Sequence, residues 1–290
     1  MPELPDLDVY IERLDERVRG TMLADVRIHS PFLLRSVDPP LADAFGKHVC
    51  ELRRIGKRIA IGLEDEFWLV LHLMVAGRLH WRDSKIKLGG KQQLAAFDFD
   101  SGTVLLTEPG TRKKASLHLV RGARALAEHD PGGVEPLECS LETFTDRLRR
   151  HNRTLKRALS DPGSFSGIGN AYSDEILHAT CLSPLQLTGK LEQRQIERLF
   201  GATVETLSRW RERLRQESAS GFPEKVTAFR PQMAVHGKFG EPCPTCGTTV
   251  ARIRYKDRET NYCPRCQTDG RVLADRSLSR LLKDGWTDSV

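Results

Sequence analysis

Four cysteines stand as two C-x-x-C pairs, Cys243-Pro-Thr-Cys246 and Cys263-Pro-Arg-Cys266, with sixteen residues between them. Thiolates two residues apart can converge on one tetrahedral Zn²⁺, and this spacing is that of a zinc ribbon or β-hairpin finger. Four protein ligands fill the coordination sphere and leave no open position. One structural zinc, held by Cys243, Cys246, Cys263 and Cys266, is therefore expected; two redox pairs are the competing use. Between the pairs, Val250, Ile253 and Tyr255 alternate with Arg252, Arg254 and Lys256, which fits a strand with one basic face. A hairpin of this kind suits nucleic acid, or in some cases another protein.

A second chemical group stands at the other end of the chain. Pro2 follows the initiator methionine, and a small residue there permits methionine removal, which would leave a secondary amine on Pro2. An α-amino group titrates near 8, so a useful fraction is free base at neutral pH. Such an amine can attack an aldehyde carbon and form an iminium, with Glu3 beside it as a possible acid/base. Proline at position 2 is common, however, and Glu3, Asp6 and Asp8 equally suit the start of a helix through its dipole.

The charge pattern narrows the partners. The net charge is +6, which alone decides little. Its distribution says more: Arg147, Arg149, Arg150, Arg153, Lys156 and Arg157 cluster around His151, and Arg252, Arg254, Lys256 and Arg258 cluster between the cysteine pairs. Both clusters suit a phosphate backbone or a solvated helix face. Cys50, Cys139 and Cys181 are scattered and read as buried small hydrophobes rather than disulfide partners. No run of about 18 apolar residues supports a membrane span, and the acidic start Met1-Pro2-Glu3-Leu4-Pro5-Asp6 lacks the apolar stretch of a signal peptide. A cytoplasmic protein is expected.

The elements that must position these groups follow from periodicity. With 39% hydrophobic residues in 290, the chain can bury a core and form one large domain or two to three smaller ones. Leu7, Tyr10, Ile11, Leu14 and Val18 recur at helical spacing over residues 5–18, and Gly20 ends the run. From about 22 to 121 the pattern becomes short β-type runs, such as 59–63, 67–71 and 104–106, separated by polar turns. Pro131-Gly132-Gly133 and Pro136 mark a linker. Residues 140–219 read as helical, broken by Gly163, Gly167 and Gly169, and residues 221–235 read as a loop. The expected fold is α+β and multidomain. A two-sheet β-sandwich with an N-terminal helix (1–130) leads, followed by a helical domain (137–225), a zinc hairpin (236–267) and a charged extension (268–290).

Four segments, taken together, resemble the formamidopyrimidine-DNA glycosylase/endonuclease VIII family of base-excision repair enzymes. Pro2-Glu3-Leu4-Pro5-Asp6 looks like its P-E-L-P-E start, and Gly56-Lys57-Arg58-Ile59 matches its catalytic-domain lysine on a β-hairpin. Residues 167–175, Gly-Ile-Gly-Asn-Ala-Tyr-Ser-Asp-Glu, look like its helix–two-turn–helix signature, and 240–267 match its zinc finger. The resemblance spans residues 1–267. It implies a DNA glycosylase with abasic-site lyase activity acting on damaged DNA, with Pro2 attacking C1′, Glu3 as acid/base and Lys57 on the phosphate next to the lesion. It further implies DNA contacts from Lys156, Asn170 and Arg258, and from His72 and Arg112 in the two segments below. The other functions left open are a non-excising relative that binds abasic or distorted DNA, and a repair scaffold using finger and tail for protein contacts.

The sequence departs from that family at the residues that fill the gap left by a flipped base. Its H-L-G-M-S-G-R segment reads His72-Leu73-Met74-Val75-Ala76-Gly77-Arg78 here, with Val75 in the methionine's place. Its D-P-R-R-F-G loop reads Glu108-Pro109-Gly110-Thr111-Arg112-Lys113-Lys114-Ala115, with no aromatic; Arg112 or Lys113 remains to enter the gap. Asp6 replaces the usual glutamate with a carboxylate one methylene shorter. A smaller, cationic wedge favours lesions in single strands, bubbles or already distorted DNA. Phe222, Lys225 and Phe229 lie on the 221–235 segment, which either caps an extruded base or simply connects domains.

Overall fold

The structure is a computed structural model that describes residues 1–219, 221–224, 226–255 and 258–273. Residue contacts divide the chain into two compact units, one of residues 1–133 with 207–228, the other of residues 134–206 with the described part from 229 onward. The expected extension 268–290 lies outside the described residues from 274 on.

The first unit begins with α1 (Leu4–Val18), whose apolar stripe is buried as its spacing predicts. Eight strands follow: β1 (Met22–Ile28), β2 (Lys47–Ile55), β3 (Arg58–Leu63), β4 (Phe67–His72), β5 (Arg78–Arg82), β6 (Gln93–Phe99), β7 (Gly102–Thr107) and β8 (Ser116–Arg121). Every pairing is antiparallel, in the order β5-β7-β6-β1-β2-β3-β4-β8. The β1–β2 ladder is only two residue pairs long, so the ribbon turns a corner there and becomes the two sheets of a sandwich. One contiguous core takes side chains from both halves and from α1, including Leu7, Leu14, Val26, Ile61, Leu69, Phe97, Leu106 and Leu119.

β3 and β4 are buried on both faces. Alternate residues Ile59, Ile61, Leu69 and Leu71 enter the main core, while Ala60, Trp68 and Val70 form a smaller cluster with Leu126 of the short helix α2 (Gly122–Ala127). Period-two alternation thus explains why these strands read as continuous apolar runs.

The second unit carries α3 (Leu141–Arg149), α4 (Leu155–Ser160), α5 (Asn170–Ala179) and the start of α6 (Gln193–Glu217). Ser140 caps α3 by accepting the Thr143 N–H at 3.2 Å, the side-chain cap favoured at a helix N-terminus. The last turns of α6 count with the first unit. There Arg211 reaches Asp8 at 3.3 Å and Arg215 reaches Glu12 at 2.6 Å on α1. Past Phe229 come the hairpin β9 (Ala251–Tyr255) and β10 (Arg258–Tyr262) and the single-turn helix α7 (Pro264–Thr268).

Candidate functional site

The N-terminal segment is fixed by local chemistry. Glu3 is the N-cap of α1, Pro5 sits in the first turn, and the Asp6 carboxylate accepts the Glu3 N–H at 3.0 Å in a capping box. Aspartate in place of glutamate therefore still reaches its backbone partner. Pro2 is buried, and Glu3 and Asp6 are each only 2% exposed. With Met1 in place, its amine stands in for the secondary amine that methionine removal would leave one residue inward. Burial pushes that amine's pKa down, Arg78 and Lys57 push the same way, and Glu3 and Asp6 oppose them. The free-base form that a nucleophile needs is thereby favoured.

Lys57 sits in the turn between β2 and β3, where Gly56 adopts φ +57°. A side chain at Gly56 would press on the Pro131 ring at 3.2 Å. The Lys57 charge is felt both by the terminal amine and by His72, so Pro2, Glu3, Lys57 and His72 share one neighbourhood. Arg78 belongs to it as well and was not singled out in the sequence; its signal was the Gly77-Arg78 pair closing the segment that begins at His72.

Two turns carry the segments that depart from the family's pattern, around Val75 and Arg112. After β4, Met74 adopts φ +53° and the Gly77 N–H donates to the Leu73 carbonyl at 2.9 Å. A Cβ on Gly77 would meet that carbonyl oxygen at 2.3 Å, so only glycine closes this turn. It leaves Val75 61% exposed. Between β7 and β8, buried Glu108 accepts the N–H groups of Lys114 and Ala115 at 2.8 and 3.1 Å, and its carbonyl accepts from the Lys113 ammonium. Lys113 is thus turned back onto the base of the loop, whereas Arg112 is exposed. Of the two cations considered for the gap, Arg112 is the one left projecting.

The second unit centres on a buried polar network. Lys156 on α4 is 8% exposed and donates to the Asn170 carbonyl at 2.6 Å, the Ser173 hydroxyl at 2.9 Å and the Asp174 carboxylate at 2.6 Å. The other Asp174 oxygen lies 2.8 Å from His236 Nδ1. Lys156 therefore holds the turn that starts α5, while Arg149, Arg150 and Arg157 of the same basic cluster are exposed. Gly167 enters that turn at φ +74°. Asn170 opens α5 and its Nδ2 donates to the Glu259 carbonyl at 2.8 Å, which ties the turn to the finger hairpin one residue from Arg258. The backbone of Arg258 pairs with Tyr255; its side chain lies outside the described residues, as do Lys225 and Lys256.

The cysteine module has the geometry the spacing predicts. The four Sγ atoms lie within 4.8 Å of one another, with separations of 3.4, 3.4 and 3.9 Å for Cys246–Cys263, Cys246–Cys266 and Cys243–Cys266. A tetrahedron with Zn–S near 2.3 Å has edges of about 3.8 Å. Among the described residues no other group of histidine, cysteine or carboxylate side chains converges in this way, and of the three scattered cysteines, expected to be buried, Cys50 and Cys181 are exposed and Cys139 is half-buried. The donor set fits one structural zinc. Sequence reading missed its support from α5. His178 Nε2 lies 3.3 Å from Cys243 Sγ, and the Glu175 carboxylate accepts the N–H groups of Ala234, Val235 and His236 at 2.8, 2.9 and 2.9 Å.

A capped helix leading a β-sandwich, a two-turn motif opening a helix and a four-cysteine hairpin together define the architecture of a DNA glycosylase of the base-excision class. Family models agree segment by segment. The formamidopyrimidine-DNA glycosylase N-terminal domain matches residues 1–115, the formamidopyrimidine-DNA glycosylase H2TH domain matches 133–217, and the zinc finger found in FPG and IleRS matches 240–268. Formamidopyrimidine-DNA glycosylase of Mycoplasmopsis pulmonis is 30% identical over 275 residues, covering 92% of this chain and 98% of its own. The MutM (FPG) crystal structure from Thermus thermophilus superposes with a TM-score of 0.78 at 30% identity, covering 92% of this chain and 98% of that one. A Lactococcus lactis Fpg complex with DNA containing an abasic site shares the fold, with a TM-score of 0.80 at 24% identity, covering 92% and 99%. The chain belongs to the formamidopyrimidine-DNA glycosylase family.

Proposed function

We propose that this chain is a base-excision DNA repair enzyme, a DNA glycosylase with abasic-site lyase activity, and that Pro2, Glu3 and Lys57 carry its chemistry. The Pro2 nitrogen attacks C1′ of a damaged nucleotide. The C1′–N bond to the base breaks, and its electron pair leaves with the base. Glu3 takes the proton that the attacking amine sheds and passes it to the ring oxygen, while the nitrogen lone pair opens the sugar to an iminium. Loss of a C2′ proton then expels the 3′ phosphate by β-elimination, a second elimination expels the 5′ phosphate, and water hydrolyses the iminium to return the Pro2 amine. The observation that carries this reading is buried Pro2 next to the buried Glu3 that caps α1, in a neighbourhood where burial, Arg78 and Lys57 lower the pKa of the Met1 amine that stands in for it. Because C1′ is hidden in a duplex, the nucleotide must be flipped out. Phosphate contacts from Lys57, His72, Asn170 and Arg258 offset the cost of that deformation. Lys156 supports them from beneath the Asn170 turn. The zinc does no chemistry; it holds the hairpin that carries Arg258.

Exposed Val75 and Arg112, in a site lacking an aromatic wedge, favour lesions in single strands, bubbles or distorted DNA over an intact duplex. In this reading residues 1–130 form the catalytic domain, 137–225 the helix–two-turn–helix domain and 236–267 the finger. The enzyme works as a cytoplasmic, nucleoid-associated monomer; no helix among the described residues is long and apolar enough to cross a membrane. Borohydride reduction in the presence of an abasic-site duplex tests the chemistry. A covalent adduct that disappears in Pro2→Gly supports it, and absence of any adduct with wild-type protein overturns it in favour of a binding-only relative.

A further inference from the structure

The outer face of the first sheet half carries, around His72, a group of side chains that the proposed function does not use: Arg58, His118 and His129. Ile59 pairs with Leu71 and Val70 with His118. In this register Arg58 stands opposite His72, and His118 is its diagonal neighbour on the next strand, so all three project from the same face. His129, just past α2, closes the group. Its ring centroid is 4.7 Å from that of His118, and its carbonyl accepts the Arg58 guanidinium at 3.0 Å. Arg35 is exposed beside His118, on a segment hydrogen-bonded to β8 at Leu117.

The charges around this group are mostly of one sign. Arg58 and Lys57 act on His72, Arg58 and Arg35 act on His118, and Arg58 acts on His129. The opposing groups are Asp130, acting on Arg58, and Glu128, acting on His129. Asp130 Oδ1 is already engaged by the Gly132 N–H at 2.8 Å. Among the described residues Arg58 pairs with no carboxylate. His72 Nε2 is buried with no hydrogen-bond partner, although buried polar atoms are ordinarily satisfied. The three imidazoles do not converge as metal ligands, and cationic neighbours would repel a metal ion. What satisfies such a group is an anion with several acceptor oxygens.

We infer that Arg58, His118 and His129, with Arg35 at the rim and His72 beneath, form a phosphate-binding subsite, occupied by a backbone phosphate of the DNA. It rests on the proposed function for the presence of DNA but adds a contact beyond Lys57. Burial and the surrounding cations hold all three imidazoles below their ordinary pKa, so without an anion the positive charge of the subsite comes from its arginines and the imidazoles stay neutral. A phosphate would draw protons onto them, and binding at this subsite is therefore linked to proton uptake.

The test uses wild-type protein and a His118→Ala/His129→Ala double variant, with Arg58→Met as a second, independent variant. The probe is a fluorescent duplex carrying a tetrahydrofuran abasic analogue, titrated over a range of KCl at about pH 6 and about pH 8. Each variant is expected to flatten the slope of log K against log[KCl] by about 0.9, the loss of one phosphate contact. Wild-type affinity is expected to tighten several-fold at the lower pH, and the double variant to lose that response. Slopes and pH responses equal to wild type in both variants would overturn the subsite. Inorganic phosphate is added without DNA in a separate arm, read by the histidine C2–H resonances. Shifts there with no change in the DNA slopes would mean a free-phosphate site and overturn the DNA assignment. Wild-type protein that traps the abasic duplex with borohydride while the variants keep wild-type slopes removes the subsite alone. Wild-type protein that neither binds nor traps it removes both.

Discussion

The Lys156 ammonium lies 2.6 Å from the Asp174 carboxylate, and Asp174 is fully buried. A buried pair of this kind contributes little beyond what apolar packing would, but removing one partner strands the other charge. Lys156→Met is expected to destabilise the second unit by about 3–5 kcal/mol, read by urea unfolding of the zinc-loaded protein. Lys156→Met combined with Asp174→Leu should recover much of that loss. If the single variant unfolds like wild type, Lys156 is not what holds the Asn170 turn.

His178 offers a ring nitrogen to Cys243 Sγ at 3.3 Å. Outer-shell hydrogen bonds to metal ligands typically carry about 10–100-fold in metal affinity. His178→Phe keeps the ring volume without the N–H and is expected to release zinc to a chromogenic chelator correspondingly faster. An unchanged release rate would make the contact incidental.

Metal removal should be more drastic, since ligand convergence at such a site is coupled to folding. Cys263→Ser is expected to abolish DNA binding and strand cleavage together, measured by gel shift and by nicking of an abasic duplex. Near-normal lyase activity in that variant would make the finger dispensable.

Glu108 is the clamp of the loop that carries Arg112. Glu108→Ala leaves the N–H groups of Lys114 and Ala115 without their acceptor, at a cost of about 2–4 kcal/mol. Amide exchange across 109–115 is expected to accelerate sharply, and excision to fall with it. Arg112→Ala should leave that exchange unchanged, because Arg112 is not part of the clamp.

His72 gives the first unit a pH dependence whose sign can be worked out. Burial, then Arg58, Lys57 and His118, depress its folded pKa from 6.5 to about 4. Between those values the unfolded chain binds the proton and the folded protein does not, so stability falls as pH drops from 6.5 toward 4. The loss from this group is at most about 3 kcal/mol. Urea unfolding at several pH values checks it, and His72→Asn should flatten the acidic limb.

How much of this could be read from residues alone depended on sequence separation. The zinc site was legible because its ligands come as two local pairs, whereas the proposed catalytic roles of Pro2 and Glu3 came from the family resemblance and not from their spacing. The Gly167–Asn170 turn was legible, like the zinc site, because its residues are local. What spacing could not convey is register: Arg58, His72 and His118 come together only once β3, β4 and β8 pair. Likewise Asp174 and His236 are far apart in sequence and meet through a fold-back that no local period encodes. The helical pattern over 190–217 was plain, yet nothing in it told that the turns from Leu207 count with the first unit. The partners on α1 that hold them, Asp8 and Glu12, read from sequence as ordinary acidic residues near a helix start.

One helix, α5, touches the turn at Asn170 that is proposed to meet DNA, the finger's entry segment through Asp174 and Glu175, and a metal ligand through His178. A copy of the protein made under zinc starvation would lose the far end of this chain of contacts and, with it, the support of Asn170. Such a copy could retain its reactive amine but not its hold on DNA. An immature or metal-depleted molecule would then be silent rather than a source of stray strand breaks, so metal loading doubles as a safety check on a hazardous nucleophile.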